Sequence, residues 1–271
     1  MYDNIVSILA FIIRQKKIPN IFNPSSLTEK ILKIKLDRGG KRKELRKKIS
    51  DRIKVRDYVE KNSPNCSLIK LLWHGTDFDK SVWDTLPQKF VIKANHGSKM
   101  VKIVNKEYDC YNDISTICNI WLNTDYYKKG REWVYKDLDK LLIIEEYIEF
   151  SGEVPPDFKF FCLNGVVRFV QVDLDRYSGH SRNIYSADFN LLDVTYQFPK
   201  GYNIQKPTLF FEAKKIAEEL AKNFDFIRVD LYILEERIYF GELTNFPGNC
   251  LESFSPYDFD LQMGKYLNLD S

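Results

Sequence analysis

Up to about residue 85 the apolar positions of the chain recur with helical spacing. Ser26 to Glu29 form a capping-box pattern ahead of an apolar run, so a helix is predicted to begin there. Gly39-Gly40 breaks that helix, and a second helix is predicted from about Lys41 to Tyr58. The pattern therefore predicts a mostly helical N-terminal region over residues 1–85.

From residue 86 onward, short runs of apolar and β-branched residues replace the helical spacing. The predicted strands are KFVIKA, VKIVN, KLLIIEEYI, DFKFFCLN and VVRFVQVD, followed by a hairpin between Phe226 and Thr244. Asn164-Gly165 is typical of a two-residue hairpin turn. Helices are predicted near 112–122 and 209–223, and a last helix starts at Ser255-Pro256, with proline in the first helical position. The predicted fold class is α+β.

The C-terminal hairpin alternates apolar and polar residues on both strands around Glu235-Glu236-Arg237. If those three residues form the loop, Leu234 pairs with Ile238. The same register then sets Asp230 against Glu242.

Two carboxylates directly across a ladder repel each other. Magnesium would remove that repulsion, because it binds through one or two carboxylates plus substrate phosphates. Arg228 lies two residues from Asp230 on the same strand face, where a cation can hold phosphate or developing negative charge. A solvent-facing polar strand, or one carboxyl group kept protonated by the other, is the alternative explanation.

A small-residue loop lies between two strands that each carry a lysine. Lys93 is in the first strand, the loop Asn95-His96-Gly97-Ser98 follows, and Lys102 is in the second strand. Such a loop can turn its N–H groups toward phosphate, and the lysines add point charges. The alternative is an ordinary hairpin loop, because the stretch is neither a Walker A loop nor GxGxxG.

The stretch LLIIEEYIEFSGE brings a buried strand to a polar end at Glu145 to Ile148. Such a strand end can offer main-chain N–H and C=O groups to a purine edge. Glu149 or Glu153 is then near enough to reach a ribose. A buried strand that ends in an acidic turn is the alternative.

The composition limits the chemistry and the compartment. Three histidines argue against a His-rich metal centre or a Ser/His/Asp triad, so catalysis would rest on carboxylates, lysines and arginines. Five dispersed cysteines without a CxxC pattern suit reduced thiols in a cytoplasm. No apolar run approaches the length of a membrane span, and the apolar stretch near the N-terminus is interpreted as a first amphipathic helix.

The charge is unevenly distributed. Thirteen basic and three acidic residues between Lys30 and Arg56 give that segment +10, so the remainder carries −7 within a net charge of +3. This basic segment can contact an anionic glycan or an anionic membrane surface, or it can be a solvated helix face. No nucleic-acid-binding motif accompanies it.

The order of these stretches resembles the ATP-grasp fold, and within it the TupA-like (teichuronopeptide-biosynthesis type) proteins. The resemblance runs over nearly the whole chain, in blocks that include DRIKVRDYV, LPQKFVIKANHGS, REWVYK, IIEEYI, PDFKFFCLNG, VQVDLDR, FIRVDLY, IYFGELTNFPG and FSPYDFDLQMGKYL. It implies a helical region over 1–85 and an ATP-grasp domain over 86–271, in which two α+β subdomains grip ATP. The subdomain boundaries it implies are 86–148 for nucleotide binding and 149–271 for catalysis and metal binding.

The resemblance also implies roles for individual residues. It implies phosphate binding by Lys93 and Lys102, with Gly97 and Ser98 in the loop that closes over the phosphates. The residues that it places at the adenine and ribose are Glu145, Glu146, Tyr147, Ile148 and Glu153. The catalytic residues that it implies are Arg228, Lys159 and Arg182.

Asp230 and Glu242 are similar to the magnesium ligands of these proteins. Two positions depart from the family pattern. Thr244 stands where many ATP-grasp ligases have a third, asparagine ligand, so the third ligand is expected to be the neighbouring Asn245 or water, or only one ion is tightly bound. The closing loop reads GSKM, less glycine-rich than the family form.

The function implied is an ATP- and Mg²⁺-dependent carboxylate–amine ligase that forms an amide through an acylphosphate. The expected partners are a uronic-acid-bearing bacterial capsular or cell-surface polysaccharide, or its precursor, and a small amine. The expected location is the cytoplasm, with a peripheral contact to capsule machinery at the inner membrane face and no nucleic acid. The alternatives are a capsule-assembly glycosyltransferase or sugar kinase, and a non-catalytic nucleotide-binding subunit.

Overall fold

The computed structural model describes residues 2–38, 40–149, 156–175 and 179–269. The helices are α1 (Tyr2–Gln15), α2 (Leu27–Leu36), α3 (Lys43–Ser50), α4 (Lys54–Asn62), α5 (Lys80–Thr85), α6 (Tyr111–Asn123), α7 (Tyr127–Gly130), α8 (Phe210–Ala221) and α9 (Tyr257–Tyr266). The strands are β1 (Leu71–Gly75), β2 (Lys89–Ala94), β3 (Val101–Asn105), β4 (Leu142–Glu146), β5 (Asp157–Leu163), β6 (Val166–Leu174), β7 (Ser181–Ser186), β8 (Thr195–Tyr196), β9 (Phe226–Ile233), β10 (Ile238–Thr244) and β11 (Phe254–Ser255). Short 3₁₀ turns lie at Gly40–Arg42, Trp133–Tyr135 and Pro247–Cys250.

The N-terminal helices begin where side chains cap them. Ser26 caps α2 in the predicted capping box with Glu29. The single helix predicted from Lys41 to Tyr58 is wrong, because the chain forms α3 and α4 with a break between them. Asp51 causes the break, since its Oδ1 accepts the N–H groups of Ile53 and Lys54 at 2.9 and 3.0 Å and so caps α4.

The start of the last helix also differs from the prediction. Pro256 is the N-cap of α9 and not its first helical residue, and Ser255 belongs to β11. No side chain accepts a hydrogen bond at this cap. Among the described residues, none of the helices combines the length and the apolar character that crossing a membrane requires.

The strands form two larger sheets, both antiparallel. One has four strands in the order β1-β4-β2-β3, and the other has five in the order β10-β9-β5-β6-β7. β1 lies within the region predicted to be mostly helical and pairs with β4. β7 was not among the predicted strands, and it forms an edge of the five-stranded sheet. The division at residues 86 and 149 stays a prediction.

Each sheet has its own core. Phe90, Ile92 and Ile144 of the four-stranded sheet pack against α5 and α6. One face of the five-stranded sheet packs against α4 and α8, and the far end of its other face packs against α2 and α9. The remaining part of that second face carries charged side chains, which form the site described below.

The C-terminal hairpin contains a β-bulge that the sequence did not predict. Ile233, and not Leu234, pairs with Ile238, yet Asp230 still faces Glu242. The extra residue is accommodated at Gly241, where the register shifts by one. A Cβ atom there would lie 2.9 Å from the main-chain oxygen of Asp230, so the close approach requires glycine.

One short segment joins the two sheets. Ser67 bonds to β10 through both its N–H and its C=O, at 2.9 Å to Ile238 O and 2.8 Å from Phe240 N. Four residues later the chain enters β1 and pairs with β4 of the other sheet. Leu68 and Ile69, between these two attachments, line the cleft between the sheets.

Candidate active site

A cleft lies between the two sheets and opens to solvent. Its walls come from the turn between α3 and α4, from the segment that joins the sheets, from β2 and β4, and from β10. The lining residues are Ile49, Ser50, Arg52, Val55, Arg56, Leu68, Ile69, Lys93, Tyr135, Glu145 and Phe240 to Leu243. Aliphatic side chains therefore meet a set of charged groups in one cleft.

Arg52 is placed in the cleft by the break between α3 and α4. Its guanidinium donates to the main-chain oxygens of Ala94 and Gly97 at 2.6 and 2.7 Å. Its N–H donates to Asn95 Oδ1 at 2.6 Å, which fixes the start of the small-residue loop. One Nη atom also lies 3.8 Å from Glu242. Arg52 thus connects the loop of one sheet to a carboxylate of the other.

Lys93 and Glu145 form an ion pair on the cleft face of the four-stranded sheet, at 2.6 Å. Arg56 approaches the other oxygen of Glu145 at 3.3 Å and donates to Ile69 O at 2.8 Å. Three charged side chains from two strands and one helix therefore converge. Glu145 was expected at the adenine. Its side chain forms ion pairs with Lys93 and Arg56.

Lys102 does not join this group. It pairs across the ladder with Ile92, whereas Lys93 pairs with Val101. Because directly paired residues share a face, Lys102 projects from the opposite face to Lys93. Its Nζ lies 2.9 Å from Asp109. The assignment of Lys102 as a second phosphate-binding lysine is corrected on this ground.

The small-residue loop is held from several sides. His96 Nε2 is 3.0 Å from Trp121 O, and burial lowers the pKa of the imidazole. A Cβ atom on Gly97 would lie 2.6 Å from the ring of Tyr126, so this ring packs directly on the glycine. Ser98 follows and is half-buried beside the same tyrosine.

The end of β4 was expected to contact the base. The N–H of Glu146 already donates to Lys70 O at 3.0 Å, and its side chain is exposed. Tyr147 and Ile148 follow the last residue pair between β2 and β4, and both are half-buried. Lys89 Nζ lies 5.7 Å from the centre of the Tyr147 ring. Glu153, expected at the ribose, lies outside the described residues.

The two carboxylates of the hairpin face each other as predicted, and Arg228 lies between them. Its Nε and Nη2 donate to the two oxygens of Asp230 at 2.7 and 2.6 Å, and Nη2 lies 3.4 Å from Glu242. Burial alone would raise the pKa of Glu242, but Arg228 and Arg52 outweigh it and lower the pKa to about 2. Glu242 is therefore ionised at neutral pH.

Asn245, expected as the third metal ligand, turns away from this pair. Its Oδ1 accepts from Arg46 at 2.7 Å, and its Nδ2 donates to Ser50 Oγ at 2.9 Å. Thr244 takes the position beside Glu242 instead and donates to it at 2.5 Å. The assignment of Asn245 is corrected, because this amide holds the buried Arg46 against β10 and its oxygen faces Arg46 and not the carboxylates.

The open part of the five-stranded sheet forms a charged floor next to these carboxylates. Lys159 donates to Asp157 and, at 3.0 Å, to Asp230. Burial lowers the pKa of Lys159, but the two carboxylates outweigh it, so the net shift is upward and the amine stays charged. Arg182 donates to Asp173 Oδ1 at 2.6 Å and lies 3.2 Å from Glu252.

Gln171 and Glu132 are buried near this site and were not predicted. Gln171 donates from Nε2 to both oxygens of Asp173, at 3.0 and 3.1 Å, and its Oε1 has no protein partner among the described residues. Burial, aided by the charge of Glu242 and opposed by Lys35, raises the pKa of Glu132 to about 7. Neither residue had a sequence signal beyond its place in a strand or in the REWVYK block.

Arg52 and Arg56 were also missed, although both stand in the DRIKVRDYV block. Arg52 lies in the turn before α4 and Arg56 lies within α4, so helical spacing does not place them on one face. The sequence showed them only as part of a basic segment. Other members of that segment are internal as well, since Lys35 is 3% exposed and Arg46 fully buried.

No group of three or more His, Cys, Asp or Glu side chains that could hold a metal occurs among the described residues. Asp230 and Glu242 nevertheless fit a magnesium ion that takes its other ligands from phosphates and water, as Mg²⁺ does in many nucleotide sites. Both oxygens of Asp230 already accept hydrogen bonds from Arg228, so an ion would have to displace that contact.

Several solved ligase structures are similar to the chain at low sequence identity. A D-alanine–D-alanine ligase from Bacillus anthracis, solved with ATP, superposes with a TM-score of 0.44 at 14% identity over 73% of this chain and 54% of that one. An ADP complex of N5-carboxyaminoimidazole ribonucleotide synthetase gives 0.48 and 13%, over 73% and 45%. The ATP-grasp ligase PsnB with Mg and ADP gives 0.46 and 9%, over 88% and 67%. The chain spans about half the length of the first two ligases.

No sequence among curated proteins matches the chain significantly. The model of the TupA-like ATP-grasp family, in contrast, matches residues 28–268. That match covers both sheets, the cleft between them and the carboxylate hairpin. The chain therefore belongs to the TupA-like ATP-grasp family, and the predicted family and α+β ATP-grasp fold are confirmed.

Proposed function

We propose that the protein is an ATP- and Mg²⁺-dependent ligase that joins a carboxylate to an amine. The observation that carries this proposal is the meeting of opposite charges across one cleft. Arg52, Arg56 and Lys93 supply cations on one side, and Glu242 supplies a carboxylate on the other, with the buried Asp230 paired to it across the ladder. This combination suits a nucleotide whose phosphates lie between cations and a metal.

The reaction would proceed in two steps that need no covalent nucleophile on the protein. A carboxylate oxygen of the substrate attacks the γ-phosphorus of ATP, ADP leaves, and an acylphosphate forms. The amine nitrogen then attacks the acyl carbon, inorganic phosphate leaves, and the nitrogen loses a proton. Positioning and charge neutralisation provide the catalysis.

The residues would divide these tasks according to where they lie. Lys93, Arg52 and Arg56 would bind the phosphates, and the phosphates would replace Glu145 as the partner of Lys93. Arg228 would stabilise negative charge that develops on the transferred phosphoryl group or on the tetrahedral intermediate. Mg²⁺, held by Asp230 and Glu242, would supply charge neutralisation at the phosphates.

The charged floor would receive the acceptor. We propose a uronic acid of a capsular or cell-surface polysaccharide, or of its precursor, and a small amine as substrates. Lys159 and Arg182 are buried cations on that floor and could bind an anionic sugar. The proposal includes a cytoplasmic protein in peripheral contact with membrane-associated capsule machinery. Exposed lysines of the basic segment, such as Lys41, Lys43 and Lys48, would add attraction for a polyanion.

A titration with ATP and Mg²⁺, followed by calorimetry and thermal shift, tests the nucleotide site. Binding to the folded state raises Tm by mass action. Lys93→Met should abolish the shift. Lys102→Met is its matched control, because that lysine points away from the cleft, and it should keep the shift. No shift of the wild type with any nucleotide would refute the proposal.

Product measurements test the ligase step separately. ADP release that depends on both a uronic acid and an amine would support it. One observation favours a non-catalytic nucleotide-binding subunit as a second candidate: Asn245 bonds to Arg46 and Ser50 and does not face the metal carboxylates. ATP binding without acceptor-stimulated ADP release would favour that candidate. Sugar transfer from a nucleotide-sugar, or phosphorylation of a sugar hydroxyl, would instead support the glycosyltransferase or kinase alternative.

A further inference from the structure

Helix α1 has two apolar faces, and only one of them is covered by the protein. Phe11 is buried on the covered face, in the core that α2 and α9 share with the five-stranded sheet. Polar contacts fix the same face, since Asn4 donates to Leu36 O at 3.1 Å and Gln15 donates to Glu252 O at 2.8 Å. The helix is therefore firmly attached to the protein and is not a loose extension.

The opposite face of α1 is apolar and exposed. Its side chains recur every three or four residues, so they form one stripe along the helix. The stripe and the segment after it consist of Tyr2 (66% exposed), Ile5 (48%), Leu9 (52%), Ile13 (77%), Ile18 (77%) and Phe22 (92%). These are six of the fifteen large apolar side chains that are exposed among the described residues. Such a concentration marks an interaction surface.

The charges beside the stripe are basic. Arg14 and Lys16 are exposed at the end of α1. Asp3 is the only acidic residue between positions 2 and 22, and it faces the protein, 3.6 Å from both Arg38 and Arg131. Within residues 2–22 the exposed side chains therefore combine large apolar groups with positive charge, and none of them is acidic.

We propose that this surface, the α1 stripe with Arg14 and Lys16, docks the protein onto an anionic lipid surface. Apolar side chains of an interfacial helix enter the boundary between headgroups and acyl chains, and basic residues contact anionic headgroups. The helix has 14 residues and is too short to span a bilayer, so it lies in the plane of the surface. The surface deepens the peripheral location proposed above and is independent of the ligase activity.

A lipid surface explains the stripe better than a second copy of the chain. A standard protein interface uses roughly 20–30 residues on each side, together with matched shape. The stripe offers four large side chains on successive turns of one helix, and the irregular segment after it adds two. A bilayer needs no matching shape, and its negative charge complements the basic residues.

Flotation with vesicles tests the proposal on the full chain. Vesicles of phosphatidylcholine with phosphatidylglycerol should carry the wild type upward, and vesicles of phosphatidylcholine alone should carry much less of it. Ile5→Ser combined with Leu9→Ser should weaken binding at least tenfold, because two aliphatic side chains no longer enter the acyl boundary. Ile120→Ser, at an exposed apolar position on α6 with 60% exposure, is the matched control and should bind as the wild type.

Two further measurements separate the effect of charge from a loss of folding. Arg14→Gln with Lys16→Gln should weaken binding to anionic vesicles only. An unchanged Tm and an unchanged ATP response in every variant would show that the fold and the nucleotide site are intact. Absence of wild-type flotation with anionic vesicles would overturn the proposal. So would a wild-type dimer in light scattering that the Ile5→Ser, Leu9→Ser variant converts to a monomer without any lipid binding.

Discussion

Arg228 and Asp230 lie two residues apart on one strand, and the guanidinium of the first binds both carboxylate oxygens of the second at 2.6–2.7 Å. The same guanidinium reaches Glu242 and Thr244 on the neighbouring strand, at 3.4 and 3.0 Å. Without a metal, arginine thus neutralises the carboxylate pair. The site holds its acidic residues together before any nucleotide enters.

Replacing Arg228 should have two effects that can be separated. Arg228→Ala leaves buried carboxylates with less positive charge, so we expect a loss of about 3–5 kcal/mol in the free energy of unfolding. Mg²⁺ alone should then raise Tm more in the variant than in the wild type, because it no longer competes with the guanidinium. Urea unfolding with and without Mg²⁺ measures both effects. An equal Mg²⁺ response in the two proteins would contradict this explanation of the pairing.

Asn245 and Glu242 should respond differently to substitution. Asn245→Ala removes hydrogen bonds to the buried Arg46 and to Ser50, so we expect a loss of about 1–3 kcal/mol in stability. The Mg²⁺ dependence of ATP binding should remain. Glu242→Gln should instead abolish that dependence, which calorimetry with and without Mg²⁺ measures. If Asn245→Ala also abolished the Mg²⁺ dependence, Asn245 would be a metal ligand after all.

The stability of the protein should fall as the pH rises through the titration of Glu132. This carboxyl is 8% exposed, and burial raises its pKa from 4.5 to about 7. The folded state holds the proton more tightly than the unfolded chain. The stabilisation is therefore complete below pH 4.5 and is lost as the pH rises toward 7, by about 3 kcal/mol at most.

Glu132→Gln is the variant that isolates this effect, since an amide resembles the protonated acid. Urea unfolding should give similar stabilities for the two proteins at pH 5. The variant should be the more stable protein at pH 8, because it has no buried charge to form. A wild type that equals the variant at both pH values would mean that Glu132 is not protonated in the folded state.

Gly241 should be intolerant of a side chain. A Cβ atom there would lie 2.9 Å from the main-chain oxygen of Asp230, and this backbone cannot move without shifting the bulge. We expect Gly241→Ala to destabilise the protein by about 1–3 kcal/mol and to weaken Mg²⁺-dependent ATP binding. Glu236→Ala, in the exposed turn of the same hairpin, is the control and should change neither property. Thermal melting and calorimetry decide the outcome.

The parts of the fold that sequence could predict are those set by local rules. The Ser26 capping box and the Asn164-Gly165 turn depend on neighbouring residues, and both occur as predicted. The pairing of Asp230 with Glu242 was predicted from a three-residue loop, but the loop is one residue longer. The bulge at Gly241 shifts the register back by one residue, so the two carboxylates still pair. Two compensating one-residue differences therefore produced the right pair.

The parts that sequence could not predict depend on tertiary contacts. Asp51 ends one helix and starts the next, and this break brings Arg52 to the main-chain oxygens of a distant loop. Lys102 projects from the opposite face to Lys93 because the two strands pair in a register that motif spacing does not reveal. Asn245 holds Arg46, 199 positions earlier in the chain. The partners of Arg52 and Asn245 lie far away in sequence, and the direction of Lys102 depends on how two strands pair.

The segment from Ser67 to Leu71 limits how the cleft can open. Ser67 is bonded to the edge strand of one sheet, and Leu71 begins the edge strand of the other. Four fully extended residue steps span at most about 14 Å, so the sheets cannot separate further than that along this edge. The two sheets can therefore move far apart only on the side of the cleft that is opposite this segment. Leu68 and Ile69 belong to the segment itself, so they stay close to a ligand in the cleft however far the opposite side opens.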